Sequence, residues 1–130
     1  MTLTRLQADP AGFIHDFLSD FTEATLRGDA DPSDVVDRFH TPDVLEVADG
    51  VRIDRDRLIA HLRPVRRNLE EYSIHVHEAL AEGDRLAARL TIHAVLRGRP
   101  TDTEVAFFGS FAADGRLRRA HQVTRAAPAE

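Results

Sequence analysis

The strongest constraint in this chain is a change of hydrophobic period at Tyr72. Before it, apolar residues recur every three to four positions. After it they alternate, as in half-buried strands. Asp9-Pro10 marks a first helix, an N-cap followed by proline at the first helical position, and Gly28 marks its end. Its inward stripe is Ile14, Phe17, Leu18, Phe21, Ala24 and Thr25. Asp31-Pro32 opens a second, short helix with Val35, Val36 and Phe39 on its apolar face, and Thr41-Pro42 closes it. Val44 to Val47 reads as a short strand that turns at Asp49-Gly50 into Val51 to Ile53. Asp54 caps a third helix with the stripe Leu58, Leu62, Val65 and Leu69. Pro64 is expected to kink that helix or end its regular part. Four strands follow, near residues 72–81, 85–97, 101–112 and 116–125, and the tail from Ala126 is expected to fray. Helices first and strands second predict an α+β fold, with the helices on one face of an antiparallel meander.

The turns set a register. Asp114-Gly115 is a two-residue hairpin signal that pairs Phe111 with Arg118, Gly109 with Ala120, Phe107 with Gln122 and Val105 with Thr124. Read the same way, Gly98-Arg99 pairs Ala94 with Thr103, Ile92 with Val105 and Leu90 with Phe107. Alternation then gives two faces. Leu86, Ala88, Leu90, Ile92, Val105, Phe107, Phe111, Ala120, Gln122 and Thr124 fall inside, joined by Ile74, Val76 and Leu80. Arg89, His93, Glu104, Ala106, Phe108, His121, Val123 and Arg125 fall outside, with His75 and His77. One outer row is expected to read His93–Glu104–Arg125, with opposite charges opposed.

Composition removes whole classes of chemistry. The 130 residues fit one domain, 1–130, with an ordered core at about 11–125. There is no cysteine, which excludes disulfides, thiolate metal sites, iron–sulfur clusters and thiol catalysis. All 17 basic residues are arginine, so lysine Schiff-base chemistry is excluded too. A formal net charge of −5 argues against nucleic acid as a partner. No apolar run is long enough to span a membrane, and the N-terminus lacks the apolar core of a signal peptide, so a cytoplasmic address is expected. Gly-rich phosphate loops and dinucleotide fingerprints are absent, and no cofactor is expected.

Four segments carry a family resemblance. They are Leu26-Arg27-Gly28-Asp29, Phe39-His40-Thr41-Pro42-Asp43-Val44, the run from Val76 to Arg85, and Asp114-Gly115-Arg116-Leu117. In this order, over roughly residues 11–125, the chain resembles the nuclear transport factor 2-like superfamily, in its SnoaL-like and ketosteroid-isomerase-like branch. The resemblance implies a cone-shaped, curved antiparallel sheet wrapped by three N-terminal helices, an apolar pocket inside, and dimers through the outer sheet face. The fold hosts isomerases, cyclases, dehydratases, epoxide hydrolases and non-catalytic domains, so function must come from single residues. The isomerase branch places a tyrosine, a general-base aspartate and a protonated acid at positions that align with Phe21, Val47 and Phe107. All three are apolar here, and steroid isomerisation is not expected. The Asp-Arg-Asp set of the limonene-epoxide-hydrolase branch is not visible. The inward polar residue nearest to the cyclase carboxylate is Gln122.

The pocket lining expected on this alignment is Phe17, Phe21, Val47, Leu90, Ile92, Thr103, Phe107, Gln122 and Thr124, around an apolar cyclic or polyketide-like small molecule. Gln122 supplies the directional hydrogen bond. His40 and Glu46 are the acid–base candidates. By alternation Glu46 points away from the base position and becomes the base only if the alignment is one residue off. His75, His77 and His93 come nearest to a metal cluster, but they lie on the outer face, and no metal site is expected. His61 and the arginines Arg55, Arg57, Arg63, Arg66 and Arg67 read as solvated, with an anionic partner as the alternative for the arginines. His93, Glu104, Phe108, His121 and Val123 are expected in a homodimer interface. Three functions stay open: a cofactor-free isomerase, cyclase or dehydratase; a non-catalytic ligand-binding or accessory protein; and an association module.

Overall fold

The computed structural model describes residues 2–127. It opens on a helix that the hydrophobic pattern does not announce, α1 (Thr2–Ala8). Two apolar residues in one short helix make a weak stripe, and tertiary contacts hold it instead. Leu6 is fully buried in the core, Arg5 pairs with Asp16 at 2.7 Å, and the Gln7 amide donates to the Gly83 carbonyl at 3.0 Å.

Aspartate caps start the other three helices. Asp9 accepts the Gly12 N–H at 3.0 Å and opens α2 (Pro10–Arg27). Asp31 accepts the Ser33 N–H at 2.9 Å and opens α3 (Pro32–Phe39), which runs directly into β1 (His40–Ala48) and β2 (Val51–Asp54). Asp54 accepts the Arg57 N–H at 3.0 Å and opens α4 (Arg55–Asn68). That helix continues through Pro64 and does not end there. Arg66 ties its last turn to α2 and the loop after it, donating to the Thr25 carbonyl at 2.6 Å and the Ala30 carbonyl at 2.8 Å.

Four longer strands complete one six-stranded sheet: β3 (Leu69–Glu82), β4 (Arg85–Leu96), β5 (Arg99–Phe111) and β6 (Leu117–Ala126). The order is β2-β1-β6-β5-β4-β3. Four of the pairings are antiparallel, as a meander requires. The fifth, β1 on β6, is parallel, and it seats the early hairpin on the last strand.

Local turn geometry moved three parts of the register. The β5–β6 loop is one residue longer than expected. Ala112 and Arg116 close it with a 2.8 Å backbone bond, and Gly115 takes φ +89°, a left-handed conformation that suits glycine. Phe111 therefore pairs with Leu117 rather than Arg118. The resulting bulge restores the expected pairs Gly109–Ala120, Phe107–Gln122 and Val105–Thr124. The β4–β5 turn uses Arg97-Gly98, both at positive φ, rather than Gly98-Arg99. Moving a turn by one residue moves the pairing by two, so Leu90 meets Val105 and Ile92 meets Thr103. A shift of two keeps every side chain on its face but changes its neighbours. His93 consequently opposes Asp102, and the row His93–Glu104–Arg125 does not form; Glu104 lies between Thr91 and Arg125.

The third change reverses a face. The β3–β4 ladder steps from Val76↔Leu90 to Glu78↔Arg89, which leaves His77 as the extra residue of a bulge. Beyond it the alternation of β3 inverts. Ala79 and Ala81 turn inward against the core, and Leu80, expected inside, stands on the outer face at 76% exposure.

Two hydrophobic clusters form under the helices. The larger joins Leu6, Phe13, Ile14 and Phe17 to Leu86, Leu90, Phe107, Phe111 and Leu117 of the sheet. The smaller joins Val35 and Val36 of α3 to Val44 of β1 and Leu58 and Leu62 of α4, with Phe21 packed against it.

Candidate functional site

The parallel pairing of β1 with β6 decides which β1 side chains enter the cone. Glu46 lies beside Ala120, an inward residue, and Val47 lies beside His121, an outward one. Glu46 therefore points in and Val47 points out, the reverse of the expected lining. Val47 instead borders a hollow on the outer face with Phe108 and His121. The family alignment sets Val47 at the inward base position, and alternation then turns Glu46 away. The ladder overrides that alignment.

Glu46 is 7% exposed, and its one side-chain hydrogen bond is from Gln122 Nε2 to Oε1 at 3.3 Å. Burial raises its carboxyl from the ordinary 4.5 to about 7. A carboxyl with that affinity changes protonation state near neutral pH, as a group that takes and returns a proton must. Gln122 is only partly buried, and a primary amide has a second hydrogen and a carbonyl oxygen to offer besides this bond.

His40 stands elsewhere. It begins β1, is 1% exposed, and Nδ1 donates to the Val36 carbonyl at 2.9 Å. The Phe21 ring packs 4.8 Å from the imidazole and the Phe17 ring 6.0 Å. Burial lowers its pKa against the opposing effect of the Val36 bond, so the ring is neutral at pH 7. These contacts describe a wedge that joins α3 to β1, sealed from solvent.

The remaining lining residues divide by depth. Phe17, Leu90 and Phe107 are buried in the larger cluster, where Phe17 packs edge-on against Phe111 at 5.4 Å. Ile92, Thr103, Gln122 and Thr124 are partly exposed although they face inward, near the ends of β4 and β6 and the start of β5. The Thr124 hydroxyl is already engaged, donating to Asp49 at 2.5 Å and fixing the β1–β2 turn. The sequence had marked Glu46 and Gln122 separately. Their contact across β1 and β6 was hidden because nothing local announces a parallel pair 76 residues apart.

On the outer face, a hollow of about 610 Å³ is bordered by Leu80, Ala87, Ala106, Phe108 and Val123. Phe108 is 56% and Val123 58% exposed. Ion pairs within the chain flank it, Arg89 with Glu78 at 3.1 Å and Arg125 with Glu104 at 2.5 Å. His93 pairs with Asp102 at 2.5 Å, and the His77 ring meets the Thr91 hydroxyl at 2.7 Å. Among the described residues no group of three or more histidine and acidic side chains is arranged to hold a metal ion. No helix among them is long and apolar enough to cross a membrane.

Comparison with known proteins places this geometry. Protein C11D3.04c of Schizosaccharomyces pombe is 27% identical over 125 residues, covering 92% of this chain and 88% of the relative. Among solved structures, PrhC from Penicillium brasilianum superposes with a TM-score of 0.72 at 11% identity, covering 92% of this chain and 82% of PrhC. IdmH from Streptomyces antibioticus, a candidate polyketide cyclase, superposes with a TM-score of 0.60 at 16% identity, covering 84% of this chain and 89% of IdmH. Both share the curved sheet and its helices. The model of the SnoaL-like domain matches residues 18–120, and the chain belongs to the SnoaL-like domain family.

Proposed function

We propose that this protein binds an apolar cyclic small molecule at the partly exposed end of its cone and performs cofactor-free proton transfer on it, with Glu46 as the base. The observation that carries the reading is a buried carboxyl, raised to about 7, on the inward face of β1. Such a group opposes folding at neutral pH, and sites of this kind are common where a protein handles protons. Gln122 donates one amide hydrogen to the carboxyl, and its second amide hydrogen is the group that would orient a ligand carbonyl. Phe21 and Phe107 offer no hydrogen to a developing oxyanion, so the reading is restricted to carbons that are already acidic. Isomerisation, aldol-type cyclisation and dehydration of polyketide-like compounds fit that limit.

The test is α-proton exchange. Cyclic 1,3-diketones and polyphenols are incubated with the protein in deuterated buffer and followed by NMR, beside thermal-shift measurements of binding. Exchange that Glu46→Gln abolishes, with binding retained, supports the reading. Binding without exchange means a non-catalytic ligand-binding protein. Absence of both sinks the pocket reading.

The outer face supports a second reading, self-association. Leu80, Phe108 and Val123 form an exposed apolar centre, and its flanking charges are neutralised within the chain. A surface apolar in the middle and neutral at the rim suits a copy of itself across a two-fold axis. Phe108→Arg should convert a dimer to a monomer in size-exclusion chromatography; a wild-type monomer at high micromolar concentration removes this reading.

A further inference from the structure

A groove of about 570 Å³ lies between α2, the end of α3 and the β5–β6 turn, and Glu46 does not border it. Its floor is aromatic. Phe13 and Phe17 belong to the buried cluster, which makes that floor rigid, and Phe39 packs edge-on against Phe17 at 6.0 Å. Three arginines and three aspartates stand around the floor, so the groove is neutral as a whole. Two of the three possible pairs are made, Arg5 with Asp16 at 2.7 Å and Arg116 with Asp114 at 2.8 Å. The third is not. Arg38 and Asp20 are exposed, and among the ion pairs of the described residues neither appears. The Arg38 guanidinium lies 5.9 Å from the centre of the Phe39 ring instead.

A ligand matching these features is neutral overall and charged at two points, with a flat apolar body. We propose that the groove binds an aromatic α-amino acid, with its carboxylate on Arg38, its ammonium on Asp20 and its ring on the phenylalanine floor. A simple aryl anion leaves Asp20 uncompensated, and a simple aryl cation leaves Arg38 uncompensated. The zwitterion satisfies both. Exposed ion pairs contribute little each and ring burial adds a moderate amount, so a Kd of roughly 1 mM is expected.

The experiment is a two-dimensional amide NMR titration of the full chain with L-phenylalanine, 3-phenylpropionate and phenethylamine. L-Phenylalanine should shift the amides of α2 around Asp20, of Arg38 and Phe39, and of Gly115. Arg38→Ala should weaken L-phenylalanine and 3-phenylpropionate at least threefold and spare phenethylamine. Asp20→Asn should weaken L-phenylalanine and phenethylamine and spare 3-phenylpropionate. Both side chains are exposed, and an unchanged free spectrum elsewhere confirms that each variant is folded. The proposal is overturned if these amides do not move at roughly 10 mM L-phenylalanine. It is overturned equally if either variant leaves the binding of L-phenylalanine unchanged, or if the shifts centre on Glu46 and Gln122.

Discussion

At one end of the cone the inward residues are Leu86, Phe111 and Leu117, nearly sealed from solvent; at the other they are Ile92, Thr103, Gln122 and Thr124, each partly exposed. The same strands supply both sets by the same alternation. What differs is the cover. Helices α1 and α2 close the first end with Leu6, Phe13, Ile14 and Phe17. Helices α3 and α4 pack mainly on each other and on β1, as a separate cluster. Glu46 and Gln122 belong to neither cluster.

The largest expected effect is at the closed end. Phe111 is 1% exposed and meets both Phe13 and Phe17 edge-on, so Phe111→Ala should lower unfolding stability by about 3–5 kcal/mol in chemical denaturation. A loss below about 1 kcal/mol would mean that the closed end is not the principal core.

Next comes Glu46→Gln, with the opposite sign. The folded protein keeps the Glu46 proton to about pH 7, while an unfolded chain releases it near 4.5. The folded state therefore binds more protons between these values, and stability falls as pH rises through that window. The glutamine variant lacks that fall. It should match wild type at pH 4 and exceed it at pH 8 by roughly 3 kcal/mol, the free energy of about two and a half pKa units. Parallel stability curves from pH 4 to 8 would place the carboxylate in contact with water.

Smaller effects sharpen the contrast between the two helical covers. Removing the Asp9 cap of α2 with Asp9→Ala should cost about 1 kcal/mol. Arg55 holds Asp37 through two hydrogen bonds, at 2.7 and 2.9 Å, and this keeps the Asp37 carboxyl below the usual range. The pair is part-exposed, so Arg55→Ala should cost less than about 1 kcal/mol by thermal melting. A larger loss would show that the α3–α4 cover depends on this clamp.

Most of the closed end was legible in the sequence. Leu86, Leu90, Phe107 and Phe111 declare their face by alternation, and that inference survived a turn displaced by one residue because the pairing moved by two. Leu80 was misplaced because a bulge reverses alternation without leaving a composition signal. The exchange of Val47 for Glu46 has a related cause: β1 takes its orientation from β6, which is distant in sequence. Helix α1 escapes a reading by periodicity because seven residues with two leucines, Leu3 and Leu6, make too short a stripe, and contacts with the core, with α2 and with Gly83 hold it. The charged groove on α2 was also illegible, since Arg38 and Asp20 meet the phenylalanine floor only after three elements converge.

The parallel seam between β1 and β6 also bears on how the protein is made. Glu46 and the amide that holds it are 76 residues apart, and β1 finds no place beside the meander until β6 exists. Contacts of such long separation are slow to form, because the intervening chain must be ordered first. A chain emerging from the ribosome would therefore carry Glu46 as an ordinary, solvated carboxylate through most of its synthesis. It would gain its raised proton affinity only as the last strand docks. The pairing of Glu46 with Gln122 is thus among the final parts of the molecule to be assembled, and premature truncation before β6 would yield a chain without it.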